Sequence, residues 1–153
     1  MKLSTKGRYA MVALVDIALQ DGDELVTLNE IAKRQDISLP YLEQLFVKLR
    51  RADLVASVRG PGGGYRLARP TSEIRVVDVL AAVDETVSAL QKGAGASGAA
   101  SGSKAQSMSN RLWESLSAQV YVFLHQTRLS DVVSNTLAPC PAVPTLFAVV
   151  DED

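Results

Sequence analysis

Residues 38–67 read SLPYLEQLFVKLRRADLVASVRGPGGGYRL, and they contain the strongest structural signals of the chain. The first half of this stretch predicts a helix over residues 39–52, because apolar side chains recur there at helical spacing. The side chains that share this apolar face are Tyr41, Leu42, Leu45, Phe46 and Leu49. The second half of the stretch predicts a β-hairpin, since strand-like runs at residues 54–58 and 65–67 flank a glycine-rich loop that permits a tight turn.

The residues before this stretch supply a second helix. Thr27-Leu28-Asn29-Glu30 is a capping box, in which Thr27 and Glu30 satisfy each other's free amides, and it predicts a short helix over residues 28–34. Ser38 is predicted to cap the following helix, where Pro40 in the first turn removes no helical hydrogen bond. Two helices joined by a short turn form a helix-turn-helix, and a hairpin directly after it makes a winged helix. We therefore predict a mainly α fold with a small β-hairpin.

The second half of the chain differs in composition. Fourteen of the 17 residues at 93–109 are Gly, Ala or Ser, which bury too little apolar surface to stay ordered, so a flexible loop is predicted. Residues 110–126 return to helical periodicity with an apolar stripe, and pairing with a second copy of the chain would cover that stripe. With further helices at 6–20 and 74–85, the predicted organisation is a winged-helix domain at 1–90, a flexible loop at 91–109, a dimerisation helix and a short helix at 110–135, and an irregular tail at 136–153.

Composition narrows the class of protein. The chain has 47% hydrophobic and 22% charged residues, as in an ordinary globular protein, and no run of ~20 apolar residues that would span a membrane. Cys140 is the only cysteine, which excludes an internal disulfide and favours the reducing cytoplasm. Residues 1–70 hold 11 Lys and Arg against 8 Asp and Glu, whereas residues 71–153 hold 5 against 9. The basic half is therefore the one expected to face a polyanion.

Side chains off the apolar face of the 39–52 helix suit DNA recognition. Gln44 can pair with an adenine edge and Glu43 can accept from cytosine N4, although a solvated carboxylate would also explain Glu43. The glycine-rich loop runs into a strand and lacks the Gly-Lys-Ser/Thr of a nucleotide-binding loop, so Arg59 is predicted to enter the minor groove from a wing. An ordinary hairpin with a solvated arginine is the alternative. The residues predicted to contact double-stranded DNA are Pro40, Tyr41, Glu43, Gln44, Lys48, Arg50, Arg51, Arg59, Gly60, Pro61 and Arg66.

Five segments of the chain resemble the IscR-type regulators of bacterial iron–sulfur cluster assembly. They are LSTKGRYA, ISLPYLEQLF, SVRGPGGGYRLA, VVDVLAAVDE and LWESLSAQV, so the resemblance covers roughly residues 1–90 and 110–135. It implies a homodimeric winged-helix repressor that senses cluster supply. It also implies that Tyr41, Glu43 and Gln44 face bases, that Arg59 enters a groove, and that Glu43 selects between classes of operator.

The sensor region departs from that family. The usual members carry three cysteines in the loop and a histidine three residues before the tryptophan, whereas here the loop has no cysteine and Asn110 precedes Trp113. Cluster irons demand thiolates that Ser, Ala and Gly do not replace. Two alternatives follow: the chain binds no cluster, or it binds a [2Fe–2S] cluster with atypical ligands, for which Cys140 from each subunit and His125 are the candidates.

The function predicted from the sequence is a cytoplasmic, homodimeric, DNA-binding repressor of iron–sulfur cluster assembly or iron-homeostasis genes. An enzyme is not predicted, because no orienting partner or oxyanion motif accompanies Cys140 and His125. The alternatives are a cluster-independent regulator of the same fold, a protein-interaction adaptor that has kept the fold, and a thiol enzyme that uses Cys140.

Overall fold

The structure is a computed structural model, and it describes residues 5–20, 24–84 and 103–137. The predictions for residues 91–102 and for the tail from residue 138 onwards, Cys140 included, lie outside these ranges. In chain order the elements are α1 (Thr5–Leu19), α2 (Leu28–Gln35), α3 (Leu39–Arg51), β1 (Val55–Val58), β2 (Gly64–Leu67), a 3-10 turn (Thr71–Glu73), α4 (Val76–Ala82), α5 (Lys104–Gln126) and α6 (Leu129–Val133).

One hydrophobic core holds the helix-turn-helix and its hairpin together. α1 and α3 each bury one apolar face in this core, as their helical spacing requires. Phe46 of α3 is fully buried and meets the ring of Tyr65 of β2 edge to face, with centroids 4.8 Å apart. Truncating a buried Phe to Ala costs about 3–5 kcal/mol, so this contact holds the hairpin against α3.

The caps of the two central helices differ. The predicted capping box of α2 is confirmed: the Glu30 N–H donates to Thr27 Oγ1 (3.2 Å), and the Thr27 N–H donates to the Glu30 carboxylate (2.7 Å). Ser38 is the N-cap residue of α3, as predicted, but its side chain makes no capping hydrogen bond, so the prediction that this side chain caps the helix is wrong. Its carbonyl accepts from the Leu42 N–H at 3.0 Å instead, so the backbone alone starts the helix.

The hairpin is a two-stranded antiparallel sheet in the register Val55↔Leu67 to Val58↔Gly64. Val26 adds a bridge to its outer side, exchanging two main-chain hydrogen bonds with Tyr65 (2.9 and 2.7 Å). A Cβ at Gly64 would lie 2.8 Å from the Val26 carbonyl oxygen, so this approach requires glycine. The hairpin therefore joins the segment that leads into α2.

The helix predicted over residues 74–85 is shorter than expected. Thr71–Glu73 form a 3-10 turn, Ile74 and Arg75 are extended or bridging, and the helix runs only from Val76 to Ala82. The cause is a pairing with a distant segment: the Val76 N–H donates to the Thr127 carbonyl (2.9 Å), and the Leu129 N–H donates to the Ile74 carbonyl (2.8 Å). This pairing attaches the end of α5 to the winged-helix unit.

The prediction that the long helix begins at residue 110 is also wrong, because α5 begins at Lys104. Ser103 and Gln106 form a capping box at its start, with both hydrogen bonds at 3.2 Å. The apolar stripe predicted on this helix comprises Leu112, Leu116, Val120, Phe123 and Leu124. It divides in two: Val120 and Leu124 are half-buried, and the other three are exposed. Among the residues described, no helix is long and apolar enough to cross a membrane.

Candidate nucleic-acid interface

The outward face of α3 carries the side chains that the sequence assigns to DNA. Pro40, Glu43, Gln44, Arg50 and Arg51 are exposed, as expected of a surface that meets a ligand. Positions 40, 44, 47 and 51 follow helical spacing along one line of this face. Val47, which the sequence interpretation missed, lies in that line and is 40% exposed. An apolar side chain there can contact a thymine methyl group.

Tyr41 packs against Tyr9 of α1. It is half-buried, and its ring meets that of Tyr9 edge to face, with centroids 5.6 Å apart and planes at 87°. Edge-to-face aromatic pairs contribute about 0.5–1.5 kcal/mol beyond the area they bury. The side chain that the family resemblance assigns to base contact is therefore held in one position before any ligand arrives.

Lys48, which the sequence assigns to DNA, is already paired with a carboxylate in the structure. Its Nζ lies 2.8 Å from Asp84 Oδ2, just after the end of α4. The Lys48 hydrogen bond, followed by its charge, holds the pKa of Asp84 below the ordinary value of 3.8. The sequence interpretation missed Asp84, because the two residues are 36 positions apart.

The wing lies between the two strands, as predicted. Arg59, Gly60 and Pro61 are exposed, and Arg66 is exposed on β2. Gly60 has φ +102°, a backbone conformation that side-chain-bearing residues rarely adopt. Within the described part of the chain neither Arg59 nor Arg66 forms an ion pair, so both guanidinium groups are free to meet phosphate or a groove.

Arg69 joins the wing to the recognition helix, and the sequence interpretation missed it. Its Nε donates to the Asp53 carbonyl (3.1 Å) and its Nη2 donates to the Ala52 carbonyl (3.2 Å), just past the end of α3. A cation at a helix C-terminus is favoured by the helix dipole and satisfies carbonyls that have no helical partner. Arg69 therefore positions α3 relative to β2.

Asp16 and Arg34 join α1 to α2. The Asp16 carboxylate is buried, and it accepts from Arg34 Nη2 (2.7 Å), Arg34 Nε (3.0 Å) and Gln35 Nε2 (2.8 Å). The Arg34 hydrogen bond holds the pKa of Asp16 below 3.8, against an opposing effect of burial. This bidentate pair fixes the orientation of the first helix of the helix-turn-helix.

His125, a candidate cluster ligand, is committed to another contact. Its Nε2 lies 2.8 Å from Arg75 Nη1, and its ring stacks on Tyr121 at 5.7 Å. In the ranges that the structure covers, no group of three or more His, Cys, Asp or Glu side chains could hold a metal ion. Cys140 lies outside these ranges, so its pairing with His125 stays a prediction.

Known proteins resemble this chain over most of its length. A family model named Rrf2, described as an iron-dependent transcriptional regulator, matches residues 3–135. The HTH-type transcriptional regulator IscR of Cereibacter sphaeroides is 73% identical over the whole of both chains. The regulator of the same name from Sodalis glossinidius is 48% identical over 88% of this chain and 80% of its own.

Solved structures with the same fold include two regulators. CymR (YrzC), the global cysteine regulator of B. subtilis, has a TM-score of 0.74 at 31% identity and covers 88% of this chain and 98% of its own. IscR of T. potens has a TM-score of 0.68 at 34% identity and covers 89% of this chain and 88% of its own. The predicted fold class, a winged helix-turn-helix with a long C-terminal helix, is confirmed.

Proposed function

The chain belongs to the Rrf2 family of iron-dependent transcriptional regulators, and we propose that it represses iron–sulfur cluster assembly or iron-homeostasis genes as a homodimer. It is a DNA-binding transcriptional regulator of the IscR type and not an enzyme. The observation that carries the proposal is the exposure of Gln44 on α3 together with four arginines of α3 and the hairpin. They are Arg50, Arg51, Arg59 and Arg66.

α3 is the element proposed to enter the major groove. Gln44 is exposed at its centre and can pair with an adenine, while Tyr41 and Glu43 lie beside it. Glu43 is the proposed selectivity element, because a carboxylate accepts from cytosine N4 and is repelled by phosphate. Arg50 and Arg51 would contact phosphate, which adds affinity without sequence information.

The wing is proposed to insert Arg59 into the minor groove. The negative potential of the minor groove attracts a guanidinium group, and the glycines on either side of Pro61 let the backbone approach the duplex. Arg66, on the strand that follows, would contact the adjacent backbone. Because Arg59 directly follows β1 and the hairpin packs on Phe46, the wing and α3 would dock as one rigid unit.

A homodimer is proposed through the exposed face of α5. Five large apolar side chains on this helix fall within about a third of its circumference. They are Met108, Leu112, Leu116, Val122 and Phe123, each 40–62% exposed. A second copy of the chain would cover this face, and two recognition helices could then read two half-sites of an operator.

An iron–sulfur cluster is the group that the family resemblance implies, and the described residues do not fit one. No thiol lies among them, and the Nε2 lone pair of His125 accepts from Arg75, whose guanidinium only donates. The ligation by Cys140 and His125 stays a prediction. It is tested by iron, sulfide and absorbance measurements on anaerobically purified wild type and Cys140→Ser. Equal cluster content in both proteins would exclude Cys140.

A cluster-independent regulator of the same fold is the second candidate. It is favoured by the Arg75–His125 contact, which occupies one candidate ligand, and by the absence of cysteine from residues 85–109. The same anaerobic measurement separates the two candidates, since a wild-type protein without iron and sulfide supports this one. In both cases the DNA-binding surface is the same.

Fluorescence anisotropy with a duplex from upstream of iron–sulfur assembly genes tests the function. Wild type is expected to bind this duplex tighter than a scrambled duplex of equal length, and Arg59→Ala is expected to lose about 1–3 kcal/mol of operator affinity. Lys33→Ala, which removes an exposed cation of α2 that is not assigned to DNA, is the matched control. Equal binding of operator and scrambled duplex by wild type would contradict the proposal.

A further inference from the structure

The ion pair between Lys48 and Asp84 lies at the edge of the surface proposed to meet DNA. Lys48 is on the same side of α3 as Gln44 and Arg51, which are one helical turn before and after it. Its Nζ donates to Asp84 Oδ2 at 2.8 Å, and the two side chains are 38% and 73% exposed. The Asp84 carboxylate thus binds the Lys48 ammonium group, which a DNA phosphate would otherwise contact.

Packing of the end of α4 against the core positions Asp84 beside Lys48. Val79, Leu80 and Val83 of α4 and its C-terminal turn are buried, which holds this end of the helix against the core. Asp84 itself has φ +58°, and its N–H donates to the Ala81 carbonyl at 3.2 Å. A left-handed residue directly after a packed helix is a fixed turn, so the carboxylate has a defined place beside α3.

We propose that Asp84 is a positioning residue that competes with DNA phosphate for Lys48 and so sets the sequence-independent part of the affinity. This inference rests on the proposed DNA-binding function. When α3 docks, Lys48 would exchange a carboxylate partner for a phosphate partner. The binding free energy gained from the phosphate contact is reduced by the loss of the carboxylate contact.

A competitor of this kind lowers non-specific binding. Phosphate contacts supply nearly all of a protein's affinity for non-specific DNA, so a cation that is withheld from phosphate lowers that affinity directly. The factor lost is expected to be the same for operator and for scrambled duplex, because Lys48 carries no sequence information. An exposed pair of this type changes binding by about two- to fivefold.

The test measures DNA affinity of Asp84→Asn at several salt concentrations. Asn adopts the left-handed backbone readily, so the turn is preserved, and Asp84→Gly is a second variant with the same tolerance. We expect about two- to fivefold tighter binding to operator and scrambled duplex alike, with a steeper salt dependence. Glu73→Gln, which removes an exposed negative charge from the 3-10 turn, is the matched control and should have a smaller effect.

The same substitution in a Lys48→Gln background identifies the mechanism. If Asp84 acts through Lys48, then Asp84→Asn has no effect there, and the salt slope of Lys48→Gln is lower by about 0.9 than that of wild type. An equal effect of Asp84→Asn in both backgrounds, or no effect in wild type, overturns the inference. If Lys48→Gln leaves binding unchanged while Arg59→Ala weakens it, the inference fails but the proposed function stands. If wild type does not prefer operator DNA, the proposed function itself fails.

Discussion

Arg75 Nη1 lies 2.8 Å from Nε2 of His125, and this contact connects the start of α4 to the last turn of α5. A guanidinium group only donates, so His125 Nε2 accepts and the ring carries its proton on Nδ1. The main-chain pairing of residues 74–76 with residues 127–129 lies immediately beside it. The long helix is thus attached to the DNA-binding unit by both backbone and side chain.

Replacing His125 tests this attachment. We expect His125→Ala to lower the free energy of unfolding by about 0.5–1.5 kcal/mol, because it leaves one hydrogen bond unmade at a partly solvated site. Urea denaturation of the variant measures the loss. In a double-mutant cycle with Arg75→Ala, most of that loss should disappear. Glu114→Ala, exposed on the same helix, is the control, and an equal loss there would assign the effect to the helix rather than to the contact.

Removing the Asp16 carboxylate should destabilise the fold. Asp16→Ala leaves Arg34 and Gln35 without their shared acceptor, which costs about 1–3 kcal/mol; Arg34 is 39% exposed and can turn partly to water. Thermal or urea denaturation measures the change. Glu24→Ala, an exposed acid just before α2, is a charge-matched control that should fall within about 0.5 kcal/mol of wild type.

The same pair predicts an acid-sensitive stability. The pKa of Asp16 is lower in the folded protein than the unfolded value of 3.8, because Arg34 stabilises the charged form. Its contribution is therefore fully present above pH 3.8 and is lost as the pH falls through the folded pKa. Wild type should lose stability below about pH 4 more steeply than Asp16→Asn. Parallel pH profiles of the two proteins would contradict this assignment.

Arg69 should matter for the recognition helix without touching DNA itself. Arg69→Ala frees the Ala52 and Asp53 carbonyls at the end of α3, and a loss of about 0.5–1.5 kcal/mol in stability is expected. Arg66→Ala is the control, since its exposed side chain is assigned to DNA and not to the fold. We expect the two variants to separate: stability falls for Arg69→Ala, and DNA affinity falls for Arg66→Ala. Loss of stability in both would undo the distinction.

Local signals in the sequence predict most of the DNA-binding unit. The periodicity of residues 39–52 and the glycines around Pro61 specify α3 and the wing by themselves, because helix and turn formation depend on near neighbours. The capping box at Thr27 is equally local, and the structure confirms it.

Contacts between distant residues are what the sequence could not predict. The pairing of Ile74 with Leu129 shortens α4, and no pattern within residues 74–85 encodes it. The Lys48–Asp84 and Arg69–Ala52 contacts join residues 36 and 17 positions apart, so only the fold brings them together. The early start of α5 was missed for a different reason: the small residues of 103–109 suit a loop by composition, whereas a local capping box starts a helix there.

The exposed face of α5 predicts that the protein loses its dimer when charge is placed on that face. Leu112→Asp with Leu116→Asp would bury two carboxylates without partners at the seam, which is costly. Sedimentation should show wild type as a dimer and the variant as a monomer. Operator affinity should fall as well, because a monomer occupies one half-site.

The control separates the dimer seam from the helix itself. Ser107→Asp with Ala118→Asp adds the same two charges to exposed positions of α5 that lie about a third of a turn or more from Leu112 and Leu116. This variant should remain dimeric and bind operator as wild type does. Since both pairs of substitutions lower helix propensity, dissociation of only the first pair assigns the effect to the apolar face. A wild type that sediments as a monomer at micromolar concentration would contradict the dimer, and the exposed stripe would then need another partner.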